Sequence, residues 1–262
     1  MPFLQKFLPP WLYRGLKTIE PVLMPWKFRA VPKIQIRYDH DLLITGHNAD
    51  FLEDPLFKEA YRLGLATDKQ RVLTGEHFYW RVHVLCWAAA HAKLLPGDFV
   101  ECGVNTGIYA RAVIHYTDFA KTGKTFFLLD TFAGMAEAYS NSEEMERSRV
   151  IGYASQSRLV DQVRQTFRDY PVCVIEGPVP DTLRQVDTQR VAFLSIDMNC
   201  VQPEVAALEY FWDKLVSGAV VVLDDYGYPN HEAQKRAHDE FARRKGVQVL
   251  SLPTCQGLIL KP

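Results

Sequence analysis

The chain is poor in the features that mark several protein classes. Its 30 basic and 31 acidic side chains leave a net charge of −1, so no positive field is available to hold a phosphate backbone, and nucleic acid is not an expected partner. No uninterrupted apolar run reaches about 18 residues, which argues against a spanning helix. The N-terminal stretch scatters Lys6, Arg14, Lys17 and Lys27 among apolar residues. It lacks the continuous apolar core and small-residue cleavage site of a secretory leader, so none is expected. The five cysteines, Cys86, Cys102, Cys173, Cys200 and Cys255, are dispersed and odd in number. No CxxC or Cys/His zinc spacing appears, and we read them as reduced thiols of a cytoplasmic protein. Internal repeats and low-complexity tracts are missing as well. What remains, 262 residues at 48% hydrophobic and 23% charged, is an ordinary globular composition with ample core for one large domain or two small ones.

Residues 1–70 differ from the rest. Pro2, Pro9, Pro10, Pro21, Pro25, Pro32 and Pro55 break this segment, and Trp11, Tyr13, Trp26 and Phe28 give it apolar surface. We expect an N-terminal helical extension that covers the domain of residues 71–262 or contacts a second subunit in a homo-oligomer. An interfacial membrane helix is the alternative, but the cationic face is short for anchoring.

Beyond residue 77 the pattern is regular. Helices are expected over 77–93, 107–120, 156–168, 203–215 and 231–244, with a short one at 180–186. Apolar strand segments fall at 98–103, 125–130, 171–177, 191–197 and 218–225. Such strands, flanked by helices, predict an α/β fold with a parallel sheet buried on both faces. Residues 247–252 and 257–262 are close enough to form a hairpin, which predicts an antiparallel strand at one sheet edge.

Ligands of such sheets bind outside the carboxyl ends of the strands, so the residues ending each strand carry the argument. They are Glu101, Asp130, Glu176, Asp197 and the pair Asp224-Asp225. Acids often cap a following helix. That explains one or two of the five positions, and it explains adjacent, mutually repelling Asp224 and Asp225 poorly. The first turn reads Glu101-Cys102-Gly103-Val104-Asn105-Thr106-Gly107. Gly103 and Gly107 permit close backbone approach at a helix start, which suits a nucleotide-like ligand, although Asn105 replaces the middle glycine of the usual pattern. Asp130 follows Gly107 by 130 − 107 = 23 residues. An acid at that position typically accepts the hydroxyls of an adenosine ribose, as NAD or S-adenosylmethionine would present. A glutamate opening the first turn suits an ammonium group rather than a pyrophosphate, and a terminal hairpin is a methyltransferase feature. Both favour S-adenosylmethionine.

The segments GDFVECGV (97–104), LLDTFAGM (128–135), PDTL (180–183) and LDDYG (223–227), with HNADFLEDPLFKEAY (47–61) upstream, resemble the macrocin O-methyltransferase family over roughly Asp50 to Pro262. These are class I S-adenosylmethionine-dependent enzymes that methylate sugar hydroxyls of natural products. The resemblance implies a three-layer, Rossmann-like methyltransferase sheet of seven strands with the last strand inserted antiparallel. It also implies cofactor contacts at Glu101, Gly103, Asn105, Gly107 and Asp130, with adenine near Glu176 and Gly177. The family binds a divalent cation through an acid after strand four and two after strand five, positions held here by Asp197, Asp224 and Asp225. Three converging carboxylates are unfavourable without a cation among them, and an all-oxygen set suits Mg²⁺. The metal would lower the pKa of an acceptor hydroxyl, and Asp197 would receive its proton. The expected acceptor is a hydroxyl on a small molecule or glycan.

One departure stands out. The family reads Asp-x-Asp-x-Tyr after strand four, whereas this chain reads Asp197-Met198-Asn199-Cys200-Val201. A neutral Asn199 can orient Asp197 or coordinate a cation, and the Val201 side chain cannot hydrogen-bond. His231 is an alternative base, set against an exposed position at a helix start, and His238 reads as structural. The long polar connection 133–155 has the length of a lid. There Tyr139, Glu143 and Arg147 are either substrate contacts or parts of a solvated helix. Thr74, Tyr79 and Arg81 occupy the stretch that closes over the methionine end of the cofactor in relatives. Lys235, Arg236, Arg243, Arg244 and Lys245 read as a solvated helix face. Three rival functions stay open: an NAD-binding oxidoreductase, an N- or carboxyl-methyltransferase, and a non-catalytic cofactor-binding protein of the same fold.

Overall fold

The computed structural model describes residues 36–151 and 158–262. Trp11, Tyr13, Trp26 and Phe28 of the extension lie outside the described residues, as do residues 152–157, where the lid connection ends and the helix expected from 156 begins. The chain divides into two compact units, Met1–Ala49 and Asp50–Pro262. The described part of the first is a hairpin of β1 (Tyr38–His40) and β2 (Leu43–Thr45). Its turn residues Asp41 and Leu42 both have positive φ, the geometry that matches the twist of a two-residue hairpin.

The second unit opens with two helices in a stretch that sequence reading assigned to the extension. Helix α1 (Pro55–Leu65) has Pro55 at its first position and Asp54 accepting the Leu56 N–H as a cap. Helix α2 (Lys69–Thr74) is capped by Asp68 and stopped by Gly75 in the left-handed conformation. These are ordinary start and stop signals. A Cβ added to Gly64 of α1 would meet the Ile108 carbonyl at 2.6 Å, so α1 docks tightly on the main domain. The division therefore falls at Asp50, upstream of the expected boundary at residue 70.

The remaining elements alternate. They are α3 (Tyr79–Ala92), β3 (Asp98–Cys102), α4 (Ile108–Thr117), β4 (Phe126–Asp130), α5 (Ser142–Ile151), α6 (Leu159–Phe167) and β5 (Val172–Glu176), then β6 (Val191–Ile196), α7 (Val201–Trp212), β7 (Leu215–Leu223), α8 (Glu232–Lys245), β8 (Leu250–Ser251) and β9 (Gly257–Leu260). Where a helix was expected over 180–186 there is one 3-10 turn, Leu183–Gln185. The seven-stranded sheet has the order β5-β4-β3-β6-β7-β9-β8. Strands β3 to β7 are mutually parallel, and β9 runs antiparallel between β7 and β8. The antiparallel strand is thus inserted, as the family resemblance implied. It is not the edge strand that hairpin spacing alone predicts, because the chain passes β7, makes β8 at the rim and returns through the gap.

Side-chain alternation sorts the core into two layers. Phe99, Phe126, Leu128, Phe193, Val220 and Val222 pack with α1, α3, α4 and α6 on one face. Val100, Cys102, Phe127, Leu129, Leu194, Ile196, Val221 and Leu223 pack with α7 and α8 on the other. Continued to the strand ends, the same period of two carries Glu101, Asp130, Asp197 and Asp224 to the α3/α4 face, while Asp225 lies in the turn beyond β7.

Candidate active site

Register decides which acids meet. The last paired rung of β6 and β7 is Ile196↔Leu223, and Asp197 and Asp224 follow it directly. The ladder continues one step, with Asp197 N–H donating to the Cys102 carbonyl at 2.8 Å and Asp224 N–H to the Ile196 carbonyl at 3.0 Å. The two carboxylates are therefore neighbours on one face, with Asp225 beside them. Ligand oxygens of Asp197, Asp224 and Asp225 all lie within 4.8 Å of one another. On the other side of the switch in strand order, β3 ends in Glu101-Cys102 and β4 in Asp130, with Asp130 opposite Glu176 of β5.

Gly103 links the two groups. Its φ is +89°, and a Cβ there would overlap the Asp197 carbonyl. The glycine predicted to admit a ligand is needed first to let the β3–α4 turn cross the end of β6. Gly107, at φ +92°, would place a Cβ 2.7 Å from the Phe167 ring, so it too is fixed by packing. Asn105 is exposed at φ 50°. The turn is held by Asp130, whose Oδ2 accepts the N–H groups of Val104 (2.6 Å) and Asn105 (2.8 Å) while its Oδ1 accepts that of Phe132 (2.7 Å). Gly177 donates its N–H to the Asp130 carbonyl at 2.9 Å, and Glu176 is exposed and paired with Arg164 at 3.1 Å.

Glu101 is the exception in this hydrogen-bonded setting. It is 1% exposed, yet neither carboxylate oxygen has a hydrogen-bond partner among the described residues. Ser195, opposite it in the β3–β6 register, has an equally buried and unpartnered hydroxyl. Burial, reinforced by the charges of Asp130 and Asp224, pushes the Glu101 carboxyl well above the usual carboxylate range. An unpaired buried carboxylate is costly, and a cationic ligand group such as an ammonium is what would satisfy it. The cofactor implied by the resemblance carries one.

The acid trio is satisfied differently. Asp224 is 3% exposed. Its Oδ2 receives Arg81 Nη1 at 2.6 Å, its Oδ1 receives Gln256 Nε2 at 2.9 Å, and the Tyr109 hydroxyl lies 3.1 Å from both oxygens. Arg81 Nη1 also reaches Asp225 Oδ1 at 3.5 Å. Asn199, at φ 59°, donates from Nδ2 to Asp197 Oδ1 at 3.2 Å, and its Oδ1 lies 3.2 Å from His231 Nε2. The departure from the family pattern therefore ties Asp197 to His231. His231 caps the start of α8 but is buried, in contrast to the exposed alternative. Its Nδ1 lies 3.1 Å from the Pro229 carbonyl and its Nε2 4.0 Å from Asp225. Burial lowers the His231 pKa and raises that of Asp197 well above its ordinary value, with Asp224 and Asp225 adding to the shift. Oxygen donors at this spacing fit a hard divalent cation, whose opposite ligands stand about 4.2 Å apart for Mg²⁺.

Several contributors are invisible to local sequence reading. Tyr109 and Gln256 come from α4 and from the β8–β9 turn. Glu144, buried in α5, accepts the Val201 N–H at 2.9 Å and so fixes the first turn of α7. Arg147 donates to the carbonyls of Asn230 (3.0 Å) and Asn199 (3.4 Å), and Tyr139 to Asp181 at 2.6 Å. The described part of the 133–155 connection is thus hydrogen-bonded to the segments that follow β6 and β7, while Glu143 and its neighbours Asn141 and Ser142 are exposed. Thr74 is exposed and bonded to the Arg71 carbonyl. His238 is buried 3.0 Å from Glu204, a structural position. Burial raises the Cys86 and Cys102 thiols strongly and lifts Cys200 to about 12.

This strand order, with acids along the carboxyl edge, defines the Rossmann-like methyltransferase fold. Solved structures share it: the O-methyltransferase NovP superposes with a TM-score of 0.58 at 20% identity over 69% of this chain and 79% of that one. A calicheamicin methyltransferase gives 0.58 at 14% identity over 88% and 98%. Within that fold, the macrocin O-methyltransferase (TylF) family model matches residues 72–250, and the chain belongs to this family. Among curated relatives, the 8-demethyl-8-(2,3-dimethoxy-alpha-L-rhamnosyl)-tetracenomycin-C 4'-O-methyltransferase of Streptomyces olivaceus is 29% identical over 62% of this chain. The mycinamicin III 3''-O-methyltransferase of Micromonospora griseorubida is 24% identical over 62%. The matches span 64% and 66% of those relatives' own lengths. No described helix is long and apolar enough to cross a membrane.

Proposed function

We propose that the chain transfers a methyl group from S-adenosylmethionine to a sugar hydroxyl on a natural product or glycan, with a divalent cation assisting. The observation that carries this reading is the buried, unpartnered carboxylate of Glu101. It fits the ammonium of the cofactor's methionine portion, a group that a nicotinamide dinucleotide does not carry. The two curated relatives, named for methylation of glycosylated natural products, support the acceptor class. Asp130 holds the turn from Gly103 to Gly107 and lines the ribose position, with Glu176 and Gly177 at the adenine end. Bound S-adenosylmethionine supplies an electrophilic methyl group, which passes to the acceptor oxygen and leaves S-adenosylhomocysteine.

Asp197, Asp224 and Asp225 are the residues that would hold Mg²⁺, which supplies a Lewis-acid grip on the acceptor hydroxyl. Asp197 receives the acceptor proton as the carboxylate at the end of β6 beside the acceptor position. Asn199 orients Asp197 through its amide, and His231 holds the other end of that amide. Holding the acceptor oxygen against the methyl group contributes much of the rate. We propose a cytoplasmic homo-oligomer to which the N-terminal extension supplies a subunit contact. Incubation with S-adenosylmethionine and a panel of rhamnosylated acceptors is expected to add one methyl mass to the sugar. Turnover that is unchanged in excess EDTA would remove the metal from this reading. Failure to methylate any hydroxyl acceptor would remove the reaction.

A further inference from the structure

The acid trio raises a question that the proposed metal leaves unanswered: what carries its counter-charge when no divalent ion is bound. Arg81 sits in the first turn of α3, where the helix dipole disfavours a cation. Its side chain is only 14% exposed. A buried guanidinium in that position requires a strong partner, and it has one in Asp224 at 2.6 Å with Asp225 at 3.5 Å. Its placement is also fixed from outside the salt bridge. The guanidinium lies 5.8 Å from the Phe78 ring centroid and 5.4 Å from that of Tyr228, both cation–π distances. The Gln256 amide that donates to Asp224 lies 3.4 Å from the Arg81 carbonyl.

The lone pairs of Asp224 close the argument. An ionised carboxylate offers about four acceptor positions. Tyr109 faces both oxygens, Gln256 takes a place on Oδ1 and Arg81 takes one on Oδ2. These three donors supply one hydrogen each and fill three of the four positions, so a divalent ion on Asp224 must share the carboxylate with the Arg81 guanidinium and meet its charge there. The formal charges of three carboxylates and one guanidinium sum to −2, so attraction for a divalent ion persists while its access is contested.

We propose that Arg81 is a tethered counter-cation that competes with the divalent ion for Asp224 and Asp225, so that the ion binds as the guanidinium gives way. This rests on the metal part of the proposed function and adds an intrinsic competitor to it. The consequence is a site that keeps a low ion affinity and does not collapse by repulsion when the ion is absent.

Mn²⁺ binding, read as loss of the free-ion electron paramagnetic resonance signal, tests this directly. Arg81→Met and Arg81→Gln are expected to bind Mn²⁺ at least tenfold more tightly than the unmodified protein. Arg81→Lys, which retains a cation, is expected to stay within about threefold of it. Cooperative thermal unfolding, measured in parallel, identifies the variants that have folded, and the two neutral variants provide independent chances of a folded one. Equal Mn²⁺ affinity in the unmodified protein and the neutral variants would overturn the competition and leave the metal reading standing. A gain of the same size in Arg81→Lys would assign the effect to space rather than charge and also overturn it. No Mn²⁺ binding by any of the proteins at millimolar ion would overturn the competition and the metal reading together.

Discussion

The two halves of the sheet's carboxyl edge handle buried negative charge in opposite ways. At the end of β3, Glu101 is left with no donor at all. At the end of β7, Asp224, nearly as buried, collects Arg81, Tyr109 and Gln256. Both carboxylates lie on the same face and end parallel strands one position removed across β6, so burial and backbone geometry do not separate them. The difference lies in what the chain supplies. The β7 side carries its own cation, and the β3 side is complete only with a ligand's. A fold stabilised on its own terms would treat the two alike, and under the proposed function the contrast is the stability cost of leaving Glu101 for a ligand.

Removing each carboxylate tests the contrast. Asp224→Ala is expected to have the largest effect. It strands the Arg81 guanidinium, the Tyr109 hydroxyl and the Gln256 amide in a buried site, and unfolding by urea is expected to show a loss of about 3 kcal/mol or more, together with loss of methyl transfer. Glu101→Gln should behave in the opposite way. S-adenosylhomocysteine affinity is expected to fall about 10- to 100-fold, the worth of charge-assisted hydrogen bonds, while the ligand-free protein gains stability at alkaline pH. The sign follows from proton counting. With its folded pKa raised, Glu101 keeps its proton above the pH at which the unfolded chain has lost it. The unfolded state then binds fewer protons and stability falls as pH rises from the ordinary carboxyl range toward the folded pKa. The midpoint of thermal unfolding, followed from about pH 5 to pH 9, is expected to decline less steeply in Glu101→Gln than in the unmodified protein.

Two smaller effects sharpen the comparison. Asn199→Ala frees Asp197 from His231 and is expected to lower kcat about 10- to 100-fold, as loss of a group supporting a first-line ligand does, with cofactor affinity unchanged by calorimetry. Arg164→Ala removes an exposed pair with Glu176 and is expected to change stability by less than about 1 kcal/mol. A large loss there would mean that the adenine end carries more of the fold than its exposure implies.

How much of this was legible in the sequence follows the range of the interactions. The strands, their end acids and the glycine-bearing turn are written in contiguous residues, and the parallel register then brings Asp197, Asp224 and Asp225 together as the family pattern implied. The caps of α1 and α2 were equally local, but the prolines around them made the segment read as an extension. The Arg81–Asp224 pair joins residues 143 apart, and Tyr109, Gln256 and Glu144 reach the site from three further elements. No periodicity encodes such meetings, which depend on how layers dock. The same holds for β9: hairpin spacing specifies two adjacent strands, but only the gap left beside β7 decides which of them is the edge. His231 was readable as a candidate, and its burial was not, because that depends on Asn199 and the Pro229 carbonyl closing around it.

The central claim is that Glu101 awaits the ammonium of S-adenosylmethionine. Calorimetric titration of the purified protein with S-adenosylhomocysteine tests it most directly. The account predicts saturable binding below millimolar ligand that weakens at least tenfold in Glu101→Gln. Absence of binding at millimolar ligand, or equal binding by the variant, would contradict it.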